Sequence, residues 1–181
     1  MLLKKVAIVA LELPPDLTVD DLASLPDTGF RYELHEGNLC VRSPATMWHS
    51  RVGLRLTNAL RAMGKAAYQE VGIKFGKRSS RTADIGIFED VPDESQAFFD
   101  PADLAVVIEI VSPSSEDDDR IEKPRRYAQA GIVEYWRVER TADEESDAVI
   151  FRHKLARTAD GAAVYVETDV TTLSKLESSA P

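Results

Sequence analysis

At 181 residues, with 31 acidic against 22 basic side chains, the chain carries a formal charge of −9 and is long enough to bury a sizeable core as one domain. That balance excludes a protein that holds nucleic acid through a basic surface alone, because such binding rests on clustered lysine and arginine. The single cysteine, Cys40, excludes an intramolecular disulfide and agrees with a reducing cytoplasm, and with the dispersed His35, His49 and His153 it forms no zinc pattern.

The first eleven residues are apolar apart from two lysines, but Glu12 and Pro14 cut the run off well short of a membrane span and no cleavage region follows. They read as a strand or a loosely attached terminus. A short helix is expected after Thr18, then a β-hairpin over residues 32–41 that turns near 36–38. Glu33 lies on its first strand, where alternation alone accounts for a solvent-facing acid. Val52, Leu56, Ala59, Leu60 and Met63 share one face of a helix predicted over 48–63. At its start His49 reads as a surface histidine, and Arg51 and Arg55 as exposed arginines with a weak case for phosphate contact.

Strands are predicted near 68–75 and 82–88, and in the second Asp84 interrupts an apolar run. An acidic, proline-bearing loop over 89–103 then allows this strand and the next to be neighbours in a sheet. The next strand, 104–111, is apolar on both faces and rich in β-branched residues, as expected of a central strand covered on both sides. It contains one acid, Glu109. Burying that carboxylate without a cation, a metal or good donors is costly, so Glu109 calls for a partner.

Downstream, Ser112-Pro113-Ser114-Ser115 ends the strand, and the acidic run 116–119 reads as solvated, Asp119 included, although Asp119 lies four residues before Lys123. Pro124 suits a helix first turn and Gly131 a terminator, which predicts a short helix over 124–130 with Lys123 at its entrance. Tyr127, Tyr135 and Trp136 read as core aromatics. Strands near 133–139, 148–153 and 162–167, separated by polar turns at 141–147 and 158–161, form an antiparallel meander. The tail after Asp169 is polar and expected to fray, leaving 1–14 and 170–181 peripheral to one domain over 1–181.

Taken in order, Phe30-Arg31-Tyr32-Glu33-Leu34-His35-Glu36-Gly37, Ser43-Pro44 followed by His49, Ala83-Asp84, Pro101-Ala102-Asp103-Leu104, Ile108-Glu109-Ile110-Val111-Ser112-Pro113-Ser114, Lys123 with Tyr127, and Ala130-Gly131-Ile132-Val133-Glu134-Tyr135-Trp136-Arg137-Val138 resemble one known family. It is the Uma-type restriction endonucleases, once a domain of unknown function, within the PD-(D/E)XK nuclease superfamily. Two positions depart from the superfamily signature: Ala83 stands where it has proline, and Val111 where it has lysine. In the Uma-type family the lysine role moves to the following helix, and Lys123 matches that place.

The resemblance implies an α/β (α+β) fold, a restriction endonuclease-like mixed β-sheet flanked by helices, with an N-terminal hairpin and C-terminal antiparallel strands. It implies a metal-dependent endonuclease that hydrolyses phosphodiester bonds, in DNA. Asp84 and Glu109 would hold Mg²⁺ or Mn²⁺, hard cations suited to carboxylate oxygens. Lys123 would orient or help deprotonate the attacking water, and Glu33 would approach the site. The charge predicts weak, metal-dependent DNA binding, with the acidic runs turned away from the substrate, a possible homodimer, a cytoplasmic location and no membrane contact. The alternative is a catalytically silent nuclease-fold module that binds a protein or nucleic-acid partner, favoured if Lys123 points into solvent or an arginine satisfies Glu109.

Overall fold

The computed structural model describes residues 13–22, 24–25, 30–42, 44–113, 115–141 and 146–179. The segment expected as a terminal strand, 1–11, lies outside them, as does part of the turn expected at 141–147. The architecture is mixed α+β, a large mixed sheet flanked by helices.

A hairpin and a short helix form a unit of their own. Strands β1 (Arg31–His35) and β2 (Asn38–Arg42) pair antiparallel through Glu36 and Gly37, whose φ angles are 50° and 88°. Two successive positive φ values give the turn twist that matches a tight hairpin. Leu34 and Leu39 on one face of the hairpin pack with Leu17 and with Val19 and Leu22 of α1 (Val19–Leu22). The backbone N–H of Leu34 donates to Ser80 Oγ at 3.0 Å, and that of Gly37 to the Arg78 carbonyl at 2.8 Å. The hairpin is thereby held against the main sheet.

Helix α2 (Met47–Ala62) follows from its spacing: Trp48, Val52, Leu56 and Leu60 recur every fourth residue and are buried. Thr46 caps its start by accepting the His49 N–H. The sheet that it covers is built from β3 (Ala66–Gly76), β4 (Ser79–Phe88), β5 (Phe98–Phe99), β6 (Leu104–Ile110), β7 (Glu134–Arg140), β8 (Ala148–Arg157) and β9 (Ala163–Thr172), in the spatial order β5-β3-β4-β6-β7-β8-β9. Strands β3 and β5, and β6 and β7, run parallel; the other neighbours are antiparallel.

Strand β6 stands in the middle. On one face Ile108 and Ile110 join the core under α2 and α4 (Leu173–Ser178), and on the other Val107 packs with Tyr127 of α3 (Lys123–Gln129). Two covered faces explain why its sequence is apolar throughout. The parallel step from β6 to β7 passes through α3, which is where a crossover must lie.

Two expectations change. The helix expected from Pro124 is preceded by a π-type turn, Asp118–Glu122, in which the Lys123 N–H reaches the Asp118 carbonyl. This wider turn runs directly into α3, so Pro124, which has no N–H to donate, sits within a continuous helical path. Residues 170–178, expected to fray, instead complete β9 and fold as α4, capped by Thr172 and anchored by the buried Leu173 and Leu176. Two apolar residues three apart suffice to dock one helical turn on the core. None of the described helices is long and apolar enough to cross a membrane.

Leu173 has no exposed surface. Leu173→Ala is expected to cost about 2–5 kcal/mol of unfolding free energy in denaturant titration, whereas a frayed tail would tolerate it with no shift in midpoint.

Candidate active site

The antiparallel pairing of β4 with β6 sets Ile85 opposite Ile108, and extending that register by one pair brings Asp84 beside Glu109 at the end of the ladder. Asp84 Oδ2 accepts the Ile110 N–H at 2.7 Å and stands 3.0 Å from His49 Nε2 of α2. From α3, Lys123 Nζ comes within 2.7 Å of Glu109 Oε2 and 3.0 Å of Asp119 Oδ1. The hydroxyl of Tyr127, one helical turn further on, donates to Glu109 Oε1 at 2.6 Å. Glu33 reaches over from the hairpin, where its carboxylate takes the Thr82 N–H at 2.9 Å, Arg42 Nε at 3.1 Å and His35 Nε2 at 2.7 Å.

The four expected site residues therefore meet at one place. Glu33, Asp84 and Lys123 line a cleft of about 280 Å³ together with Arg31, Arg42, His49 and Asp119, while Glu109 lies behind Lys123 with no exposed surface. Three strands or hairpin edges and two helices contribute to this one cleft.

Its electrostatics follow from crowding. Burial raises the Glu109 carboxyl well above the usual range, and the charges of Asp84 and Asp119 add to this while Lys123 opposes it. Burial also raises Asp119 against the pull of Lys123. For Lys123 burial works against the charged form, but Glu109, Asp119, Asp84 and Glu33 more than offset it, so its pKa is raised and the amine stays charged. Burial disfavours ionisation of Asp84 and Glu33 too. At Asp84 the bond to His49 and the Lys123 charge prevail and lower the pKa. At Glu33, His35, Lys123, Arg42 and the Thr82 N–H hold it at about 2.

Several participants differ from their sequence reading. Asp119 is 1% exposed, bound to Lys123 and part of the cleft lining, not solvated, and Asp118 pairs with Arg42, whereas Glu116 is half-exposed and pairs with Arg120. The signal was the four-residue spacing of Asp119 and Lys123, which places both on one side of a helical path. His49, read as a surface residue, faces Asp84. Tyr127 is both a core aromatic and a donor to the site. Arg55 is engaged by Glu177 and the Ser146 carbonyl, which takes it out of consideration for phosphate.

The family model described as "Putative restriction endonuclease" (Uma2) matches residues 19–173. The chain belongs to this family. Among solved structures, the Uma2-family chain is similar to one described as a "putative nuclease belonging to DUF820" from Anabaena variabilis ATCC 29413, with a TM-score of 0.58 and 19% identity over 90% of this chain and 98% of that one. At that identity the likeness establishes the fold. No curated protein matches the chain.

Among the described residues, no group of three or more histidine, cysteine or acidic side chains is arranged to hold a metal ion. Mg²⁺ and similar ions usually take one or two carboxylates and complete their shell with water and substrate oxygens; Asp84 and Glu109 are donors of that type, Asp84 in the cleft lining and Glu109 buried with its two oxygens on Tyr127 and Lys123. Three carboxylates, Asp84, Glu109 and Asp119, also surround one lysine, a deficit of positive charge that the raised Glu109 reflects.

Two outcomes test this network. Tyr127→Phe leaves a buried Glu109 oxygen without its donor and is expected to lower stability by about 1–3 kcal/mol in chemical denaturation. For Glu33, a folded pKa of about 2 against 4.5 means that its contribution is complete above pH 4.5 and is lost as pH falls through about 2. Stability of the wild type should drop more steeply than that of Glu33→Gln across that acid window; parallel curves would remove Glu33 from the network.

Proposed function

We propose that this chain is a metal-dependent endonuclease that hydrolyses phosphodiester bonds in DNA, within the nuclease-like function of its family. The observation that carries the reading is Lys123, a 5% exposed and charged amine held between Glu109 and Asp119 at the floor of a cleft that Asp84 lines. A structural lysine has little reason to be buried at the end of a polar cleft.

In this reading Asp84 and Glu109 would hold the cation, Glu109 as an ionised carboxylate freed of its contact with Lys123 or Tyr127. A bound Mg²⁺ or Mn²⁺ supplies Lewis-acid polarisation of a phosphoryl oxygen and makes a coordinated water more acidic. Because its neighbours keep Lys123 protonated, it serves as donor and counter-charge to the phosphoryl oxygens instead of as the base. Glu33 supports the site by fixing His35 and Arg42 on the hairpin and tying them to β4 through the Thr82 N–H. Lys123 is buried and Glu109 is met by Lys123 and Tyr127, not by an arginine; a purely structural Lys123–Glu109 ion pair is the competing reading, and metal titration separates the two.

The test is Mn²⁺ titration calorimetry with a short DNA duplex present to complete the coordination shell. Saturable binding is expected in the wild type and in Lys123→Ala, and is expected to vanish in Asp84→Ala and Glu109→Ala, each checked for folding by circular dichroism. Lys123→Ala should bind the ion yet lose cleavage. Equal Mn²⁺ affinity in all three variants, or no binding to the folded wild type, would sink the assignment and favour a silent binding module.

A further inference from the structure

We infer that Arg31 and Arg42 form a clamp for a backbone phosphate beside the bond to be cleaved, and that Glu70 is the group which this phosphate displaces from Arg31. The inference rests on the nuclease reading above and extends it to residues that the reading does not use.

The starting observation is a local cost. Arg31 and Arg42 are direct partners in the hairpin register, so their side chains share one face, and like charges directly opposite each other destabilise a strand pair. Both side chains line the cleft, each about one-third exposed at 30% and 28%. A pair of guanidinium groups placed together at the mouth of a cleft is suited to an anion with several oxygens, which each fork can take in bidentate fashion.

The two arginines are held differently. Arg42 is anchored by the buried Glu33 and by Asp118, which fixes its position. Arg31 is held by Glu70, whose side chain is 53% exposed, and its Nη1 is 3.8 Å from Asp84 Oδ1. A pair that exposed contributes little, so an arriving phosphate can replace Glu70 at small cost. The contact with Asp84 places that phosphate next to the acid proposed to hold the cation.

Glu70 itself is unusual. It has a φ of 57°, an uncommon and strained conformation for a residue other than glycine. In the β3–β4 ladder Gln69 pairs with Ile85 and Val71 with Ala83, so the register sets Glu70 opposite Asp84. From there its carboxylate meets Arg31, which also approaches Asp84.

The clamp is tested by fluorescence anisotropy of a labelled duplex of arbitrary sequence, in Ca²⁺, over a series of salt concentrations. Arg31→Gln is expected to lower the slope of log affinity against log salt by about one, the signature of a lost phosphate contact. Glu70→Gln should bind more tightly than wild type, because it frees Arg31. Arg42→Lys keeps a charge beside Glu33 and so guards against misfolding; it should keep the slope but bind more weakly. Arg157→Gln and Asp160→Asn make the same charge changes at and just beyond the far end of β8, away from the cleft, and should change neither quantity. An unchanged slope in Arg31→Gln, or a Glu70→Gln effect no larger than that of Asp160→Asn, overturns the clamp alone. A wild type that binds no duplex overturns the nuclease reading and the clamp with it.

Discussion

Charge balance around Lys123 is the constraint on which the site depends. An ammonium group 5% exposed persists only where carboxylates surround it, and Glu109 and Asp119 lie within 3.0 Å. Those carboxylates are themselves buried and gain from the same lysine. The arrangement still carries more acid than base, which keeps Glu109 well above the usual carboxyl range.

The elements around this cluster are shaped to serve it. Central placement of β6 gives Glu109 a rigid backbone, while the end of the β4 ladder sets Asp84 beside it. The π-type turn before α3 aligns Asp119 and Lys123 on one inward side, and single wide turns of this kind often mark functional positions in helices. The hairpin closes the other side. Its Glu33 joins it to β4, and its two arginines project over the cleft mouth. The cleft itself is mixed in charge, with Arg31, Arg42 and Lys123 standing among Glu33, Asp84 and Asp119.

Local pattern made several elements legible. The four-residue recurrence of Trp48, Val52, Leu56 and Leu60 marked α2, the apolar run at 104–111 marked the covered strand, and one acid inside that run marked Glu109. These signals depend on neighbours in sequence, so no tertiary information is needed to read them. Asp84 stood out in the same way, as one acid in an apolar run, whereas Lys123 and Glu33 were legible as candidates only through resemblance to a family, since an acid on an alternating strand and a lysine at a helix start are ordinarily solvated.

Partnership was not legible. Asp119 looked solvated because an acidic run has that pattern, yet the fold turns one member of the run toward Lys123 and another toward Arg42. His49 and Asp84 lie 35 residues apart in the chain and meet only because α2 packs across the sheet end. The tail looked frayed because it is polar, yet Leu173 and Leu176 find the core. The sequence by itself determined which segments alternate, which recur at helical spacing and where a buried acid would need a partner, because those are properties of the local chain. Only the tertiary structure decided which charges are paired and at what protonation state, because burial and Coulomb interaction depend on distances that strand register and helix packing set.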